Sequence, residues 1–233
     1  MDLADDSLTV RVRSAAAASA CGFLTTYRWQ ADARRLSLRV ITEPVGSWPE
    51  RGDTFAEPMA DPDLPAERSA ELARRDKAPS LARIGLVWLL PPSWDRVGWF
   101  GAGPGESYPD SRHAVRIGRF TSSVEELQTP YVRPQENGNR AEVRWAHVTD
   151  GAGRGVRMDG DPAFNLAARR WSDQALAAAR HRPDLVPDRW IHLSTDHAVQ
   201  GIGTAAVGPG VLPEYRLEVR PAEFALTLAP LGA

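Results

Sequence analysis

Apolar and polar residues alternate along much of this chain with the two-residue period of a β-strand. Glycine and proline separate the alternating segments at short intervals, as they do between the strands of antiparallel sheets. Many short strands with frequent turns predict an all-β fold, a large antiparallel β-sandwich with one short helix. Strands are predicted at 8–13, 22–29, 36–42, 97–100, 113–120, 141–148, 155–159, 164–169, 190–195, 215–219 and 224–228.

The longest apolar run spans 84–90 and contains no charged residue. Seven residues suit a strand that is buried on both faces, and they are too few to cross a membrane. Pro91 and Pro92 end this strand, because proline has no N–H to donate to a sheet. Residues 101–110 hold three glycines and two prolines, so we predict an irregular loop there, of the kind that carries functional residues.

One helix is predicted at 173–182, where Ser172 is placed as its N-cap and Pro183 follows its end. Residues 46–80 are punctuated by proline and glycine, and they predict a flexible surface excursion with a helical turn or two at 66–76. The chain of 233 residues is therefore expected to form a single β-sandwich domain over 1–233.

Composition narrows the functional classes. The net charge of −2 and the lack of a basic stripe argue against nucleic-acid binding, and no apolar run reaches the length of a membrane span. Cys21 is the single cysteine and cannot form an internal disulfide. The first six residues are acidic and lack a hydrophobic segment, so we expect a cytoplasmic protein.

Most familiar catalytic patterns are missing. The five histidines form no helical H-x-x-x-H pair, so no metal site is predicted. There is no G-x-S-x-G nucleophile motif, and the glycine-rich segment at 101–105 lacks the lysine of a phosphate-binding loop.

Two loop carboxylates, Glu106 and Glu136, are the most specific candidates for catalytic residues. Each lies near proline and an aromatic residue, and the two could face one cleft as the acid pair of a glycosidase. They could equally accept backbone N–H bonds and hold irregular loops in place. The nearby aromatic residues fit either stacking on a sugar or packing in a sandwich core: Trp94, Trp99, Tyr108 and Tyr131.

Several longer motifs resemble the C-terminal domain, or small chain, of bacterial β-galactosidases of glycoside hydrolase family two. That family carries signatures close to G-x-G-P-x-E-x-Y-P-D and T-P-Y-V-x-P-x-E-N-G, and the order and spacing agree over 8–228. The matching motifs are R-I-G-L at 83–86, W-F-G-A-G-P-G-E-S-Y-P-D at 99–110, T-P-Y-V at 129–132, P-Q-E-N-G at 134–138 with Arg140, F-N-L at 164–166, G-I-G at 201–203 and P-E-Y-R-L at 213–217.

The resemblance implies a supersandwich fold related to that of aldose mutarotases. In this family the catalytic glutamates and the metal ligands lie on a central (β/α) barrel, for which this chain has no room. The resemblance therefore implies no catalytic residue, no metal and no cofactor in this chain, with Mg and Na only in the catalytic part. It implies structural roles for the motif residues Glu106, Tyr108, Asp110, Tyr131, Glu136, Asn137 and Arg140.

The implied partners are the catalytic part of a β-galactosidase and a galactoside at a shared site, with lactose-like substrates hydrolysed only by the complete enzyme. In the family, a tryptophan after the G-I-G motif contacts the galactoside. Here Val207 stands in its place beside Gly208, so the loop from Gly201 to Gly210 is expected to rim the site without a stacking platform.

A second hypothesis is a free-standing carbohydrate-binding or mutarotase-like module. Mutarotation needs a general acid and a general base that face one cleft. His113 with Glu136 is the best candidate for such a pair in this sequence.

Overall fold

The computed structural model describes residues 2–4, 6–16, 19–50, 65–68, 70, 77–203 and 210–232. Most of them belong to β-strands, as alternation predicts. The strands are β1 (Asp2–Ala4), β2 (Ser7–Ser14), β3 (Gly22–Ala31), β4 (Leu36–Val45), β5 (Ser80–Leu81), β6 (Arg83–Leu90), β7 (Arg96–Gly103), β8 (Arg116–Ser123), β9 (Arg140–Thr149), β10 (Gly155–Arg169), β11 (Ile191–Val199), β12 (Leu217–Glu218) and β13 (Ala222–Leu231).

Eleven of these strands form one sheet in which every pairing is antiparallel. The path runs β1-β2-β3-β4-β13-β10-β9-β7-β8, and the sheet branches at the long strand β10. The first half of β10 pairs with β13, whereas 165–169 pair with β11, which in turn pairs with β6. Register shifts between Asp159 and Leu166 accompany this change of partner.

The two branches lie face to face and enclose the core. Trp88 of β6 meets Trp29 of β3 edge to face, with ring centroids 6.3 Å apart. A small cluster of Leu38, Val40 and Phe224 packs against Leu86 and Trp88 from the opposite branch. A larger cluster fills the space between β7, β9, β10 and β11. The predicted antiparallel β-sandwich is therefore confirmed.

The prediction that 84–90 is buried on both faces is wrong. β6 alternates instead: Leu86 and Trp88 face the core, whereas Val87 and Leu89 are 54% and 55% exposed. Within the described residues, β6 pairs only with β11, so it forms an edge of this branch.

The prediction of an irregular loop over the whole of 101–110 is also wrong, because β7 continues to Gly103. Glycine persists in this strand because neighbouring strands approach closely. A Cβ atom on Gly101 would lie 2.8 Å from Cα of Val143, and one on Gly103 would lie 2.8 Å from the ring of Phe120.

The helix α1 (Asp173–Ala178) is shorter than predicted, although Ser172 caps it as expected by accepting from the amide of Ala175. Its predicted last turn is extended instead, because Asp184 accepts hydrogen bonds from the amides of Arg180 and His181. His113 lies in a 3₁₀ turn (Arg112–Ala114) and not in the predicted strand.

Of the predicted excursion at 46–80, residues 51–64, 69 and 71–76 lie outside the described residues, and 66–68 are helical. Among the described residues, no helix is long and apolar enough to cross a membrane.

Candidate functional site

The two signature motifs lie against each other at one end of the sandwich. The amide of Ser107 donates to the carbonyl oxygen of Asn139 (2.8 Å), and the Asn139 side chain donates back to the carbonyl of Ser107 (2.6 Å). The Ser107 hydroxyl accepts from the amide of Ala141 at the start of β9 (2.9 Å). These bonds fix the loop after β7 onto the segment before β9.

Glu106 holds the second motif in place with three hydrogen bonds. Its carboxylate accepts from the Thr129 hydroxyl (2.7 Å), the Tyr131 phenol (2.5 Å) and the amide of Gly138 (2.7 Å). Burial and the bond to the Glu106 carboxylate raise the pKa of Tyr131 to about 12. The phenol is thus a donor at neutral pH, and Glu106 acts as a clamp between the loops.

Glu136 accepts three hydrogen bonds from a different set of partners. They come from the Tyr108 phenol (3.0 Å), Nη2 of Arg169 (2.6 Å) and Nη2 of Arg83. Tyr108 is fully buried, and burial followed by the negative charge of Glu136 raises the pKa of its phenol. The carboxylate therefore joins the loop after β7 to β6 and β10.

The two arginines extend this arrangement into a charge cluster that the sequence alone did not reveal. Arg83 Nη1 lies 3.3 Å from Asp196 and 3.6 Å from Asp173, and Arg169 Nη1 lies 2.9 Å from Asp173. Burial raises the pKa of Asp196 to about 7, and Arg83 opposes that rise. We call these five residues, Arg83, Glu136, Arg169, Asp173 and Asp196, the charge cluster.

Arg140 and Asn137 are engaged with loop backbone. The Arg140 guanidinium donates to the carbonyls of Pro104 (3.0 Å), Leu127 (3.1 Å) and Gly138 (2.8 Å), and burial lowers its pKa to about 10. The Asn137 side chain accepts from the amide of Thr129 and donates to the carbonyl of Gln135. Both side chains satisfy backbone groups in segments without regular structure.

Asp110 connects the first motif to the glycine loop after β11. Its Oδ2 accepts from the amide of Gly203 (2.8 Å), while its buried Oδ1 has no hydrogen-bond partner among the described residues. Gly201 lies so close that an added Cβ atom would be 2.5 Å from Asp110 Oδ2. The amide of Gly201 also donates to the carbonyl of Tyr215 (2.9 Å), so the loop is held on two sides.

An open groove of about 640 Å³ separates the motif loops from this glycine loop. Exposed apolar side chains, Val132, Ile202 and Leu212, lie on or next to the lining segments. The lining includes Arg83, Tyr131, Gln135, Glu136, Gln200 and the stretch 201–203.

The two ends of the predicted rim loop, Gly201 and Gly210, lie in different surroundings. Gly201 is buried and lines the groove. Gly210 is exposed and is not among the groove-lining residues, and a Cβ atom added to it would meet no other atom within 4 Å. Val211, the residue after Gly210, does line the groove, so the expectation that the loop from Gly201 to Gly210 rims a galactoside site stays a prediction. Val207 and Gly208, the implied substrate contacts, lie outside the described residues, so their role stays a prediction.

The geometry bears on the chemical hypotheses for these residues. Each of the two loop carboxylates already accepts three hydrogen bonds, an arrangement typical of structural carboxylates. His113 is exposed and is not among the hydrogen-bond partners of Glu136. Trp99 is buried and donates to the carbonyl of Ala102, so it is not available for stacking on a sugar. Within the described ranges, no group of three His, Cys, Asp or Glu side chains is placed to hold a metal ion.

Comparison with known proteins gives a consistent family. A family model described as the beta galactosidase small chain matches residues 2–228. Beta-galactosidase from Arthrobacter sp. (strain B7) is 35% identical over 210 residues, covering 81% of this chain and 20% of that protein. Beta-galactosidase from Psychromonas ingrahamii is 38% identical over 150 residues, covering 64% of this chain and 14% of that protein. The chain thus spans about one seventh to one fifth of the length of these relatives.

Among solved structures, a galactose mutarotase related enzyme from Lactobacillus acidophilus aligns with a TM-score of 0.40 and 8% sequence identity. The alignment covers 98% of this chain and 69% of that one.

Proposed function

This chain belongs to the β-galactosidase small-chain family, and we propose that it completes the rim of the galactoside-binding site in a β-galactosidase whose catalytic part lies outside these 233 residues. The complete enzyme hydrolyses terminal β-galactosides such as lactose. This chain shapes the entrance to the site and contributes no acid, base or nucleophile.

The observation that carries the proposal is the use of both motif carboxylates as clamps. Glu106 and Glu136 together accept six hydrogen bonds that fix the loops beside an open groove. A general acid or a nucleophile needs a carboxyl oxygen directed at the substrate. Carboxylates that are committed to loop geometry instead support a role in shaping a neighbouring site.

The glycine loop is the part of the rim that we expect nearest the substrate. Its base at 201–203 is tied to Asp110 and to Tyr215, so the residues that follow start from a fixed position. Exposed Val132 and Ile202 beside the groove give the catalytic part an apolar surface to bury. Metal ions, Mg and Na, would bind in the catalytic part, and we place the assembly in the cytoplasm.

A chromogenic galactoside assay tests the proposal. The chain alone at high concentration should give no turnover, whereas adding the catalytic part of its enzyme should produce hydrolysis that depends on this chain. Clear turnover by the chain alone, lost in Glu106→Gln or Glu136→Gln, would show that the carboxylates are catalytic and would overturn the proposal.

A further inference from the structure

Strand β6 carries apolar side chains on both of its faces, but within the part of the chain that the structure describes only one face is covered. Leu86 and Trp88 point into the core between the two branches. Val87 and Leu89 point the other way and are 54% and 55% exposed. An uninterrupted apolar run is typical of a strand with cover on both sides. The sequence of β6 therefore indicates that a further layer covers Val87 and Leu89, and the described residues do not supply it.

The uncovered region is sharply bounded. Ser194 of β11 pairs in register with Val87 and is only 3% exposed. The same face of the branch is therefore closed over β11 and open over β6. At the start of β6, Arg83 turns into the charge cluster and lines the groove. The exposed strip, formed by Val87 and Leu89, therefore begins next to the groove that Arg83 lines.

The outer edge of β6 also lacks the usual protection of a free edge. Natural edge strands carry lysine, proline or inward-pointing charges that prevent pairing with other chains. Between Ile84 and Leu90 there is no charged residue and no proline, and Pro91 ends the strand. Within the described residues, the N–H and C=O groups on this edge have no strand to pair with. An edge of this kind suits an added strand.

We propose that β6 is a docking edge for an extended apolar segment of the catalytic part, which pairs with the strand and covers Val87 and Leu89. This inference rests on the proposed function. The length of the relatives indicates which partner pairs with β6. The β-galactosidase relatives are about five to seven times as long as the portion that this chain matches, so most of their residues lie outside that portion and can supply the segment. The strip continues from the groove, so one partner reaches both surfaces.

Lysine substitutions test the proposal because they give β6 the protection that natural edges have. The variant combines Val87→Lys with Leu89→Lys. Because both positions are about half exposed, lysine can reach solvent there and the chain should still fold. Val186→Lys is the matched control, because Val186 is 75% exposed and lies in the connection before β11. Affinity for the catalytic part is measured by calorimetry, and thermal unfolding checks the fold of each variant.

We expect the double variant to bind the catalytic part at least tenfold more weakly, whereas the Val186 variant binds like the wild type. Hydrogen exchange should slow at the β6 amides of the wild type on assembly. Unchanged affinity in the double variant, with wild-type assembly intact, would overturn the docking edge alone. A wild-type chain that neither binds nor supports hydrolysis would overturn the proposed function as well. If the chain alone formed a dimer that the lysines abolish, without affecting assembly, the occupant would be a second copy and the inference would be wrong.

Discussion

Replacing Arg169 with methionine is the most direct test of the charge cluster. The side chain of Arg169 is only 2% exposed and donates to Glu136 (2.6 Å), to the carbonyl of Asn137 (2.6 Å) and to Asp173 (2.9 Å). Methionine keeps much of the volume but leaves a carbonyl and two carboxylates without this donor. Removing one partner of a buried ion pair costs about 3–5 kcal/mol.

The expected loss lies toward the lower end of that range. Glu136 and Asp173 are 29% and 42% exposed, so water can hydrate part of what the arginine leaves behind. We therefore expect the free energy of unfolding to fall by about 3 kcal/mol. For a domain of this size, such a loss lowers Tm by roughly 6–12 °C.

Urea unfolding at pH 7, followed by tryptophan fluorescence, measures the change. Arg169→Lys is the control, because lysine keeps the charge but cannot bridge three acceptors with one planar group. We expect it to lose less stability than the methionine variant. A loss below about 1 kcal/mol in Arg169→Met, with an unchanged m-value, would refute the view that this arginine holds the loops together.

Three further predictions concern the cluster and the glycine loop. Because the pKa of Asp196 is higher in the folded chain than in the unfolded chain, the contribution of Asp196 to stability is full below about pH 4 and is lost as pH rises toward 7. The free energy of unfolding of Asp196→Asn should therefore rise relative to that of the wild type across this interval. Urea unfolding at several pH values measures the difference. Gly201→Ala should lower stability by about 1–3 kcal/mol because its Cβ meets Asp110, whereas Gly105→Ala, whose Cβ enters open space, should be nearly neutral in the same assay. Asp110→Ala should raise KM of the complete enzyme several-fold with a smaller change in kcat, because it removes the acceptor for the amide of Gly203. Asp110→Asn keeps an oxygen acceptor and should restore much of the loss. Equal KM values in the wild type and both variants would contradict a positioning role.

Local sequence patterns predicted most of the strands because alternation reports directly which side of a strand faces a core. They failed where a distant strand decides the outcome. The glycines of β7 were expected to break regular structure, but Val143 and Phe120 lie where their Cβ atoms would be. Nothing within 101–110 shows that approach, because Val143 lies more than thirty residues further along the chain.

The residues of the candidate site likewise fall into those that the sequence predicted and those that it did not. Glu106 and Glu136 stand out in the sequence because glycine and proline surround them, and a structural role was one of the two hypotheses for them. The arginines that bind Glu136 were not predicted, since Arg83 and Arg169 lie 53 and 33 residues away from it. A weak signal existed in Arg169, which directly follows the apolar pair 167–168 at the end of a predicted strand. A charge at a buried strand position requires partners, although its sequence context does not name them.

The balance of charge in the cluster bears on what the groove can receive. Three carboxylates face two guanidiniums, which would leave one negative charge in excess if all were ionised. Burial raises the pKa of Asp196 to about 7, so near pH 7 this carboxyl is about half protonated and the excess falls to about half a charge. Arg83 and Glu136, the two members that line the groove, already neutralise each other. A wall of this kind neither attracts nor repels ions strongly, which accords with the proposed role at the rim of a site for a neutral sugar.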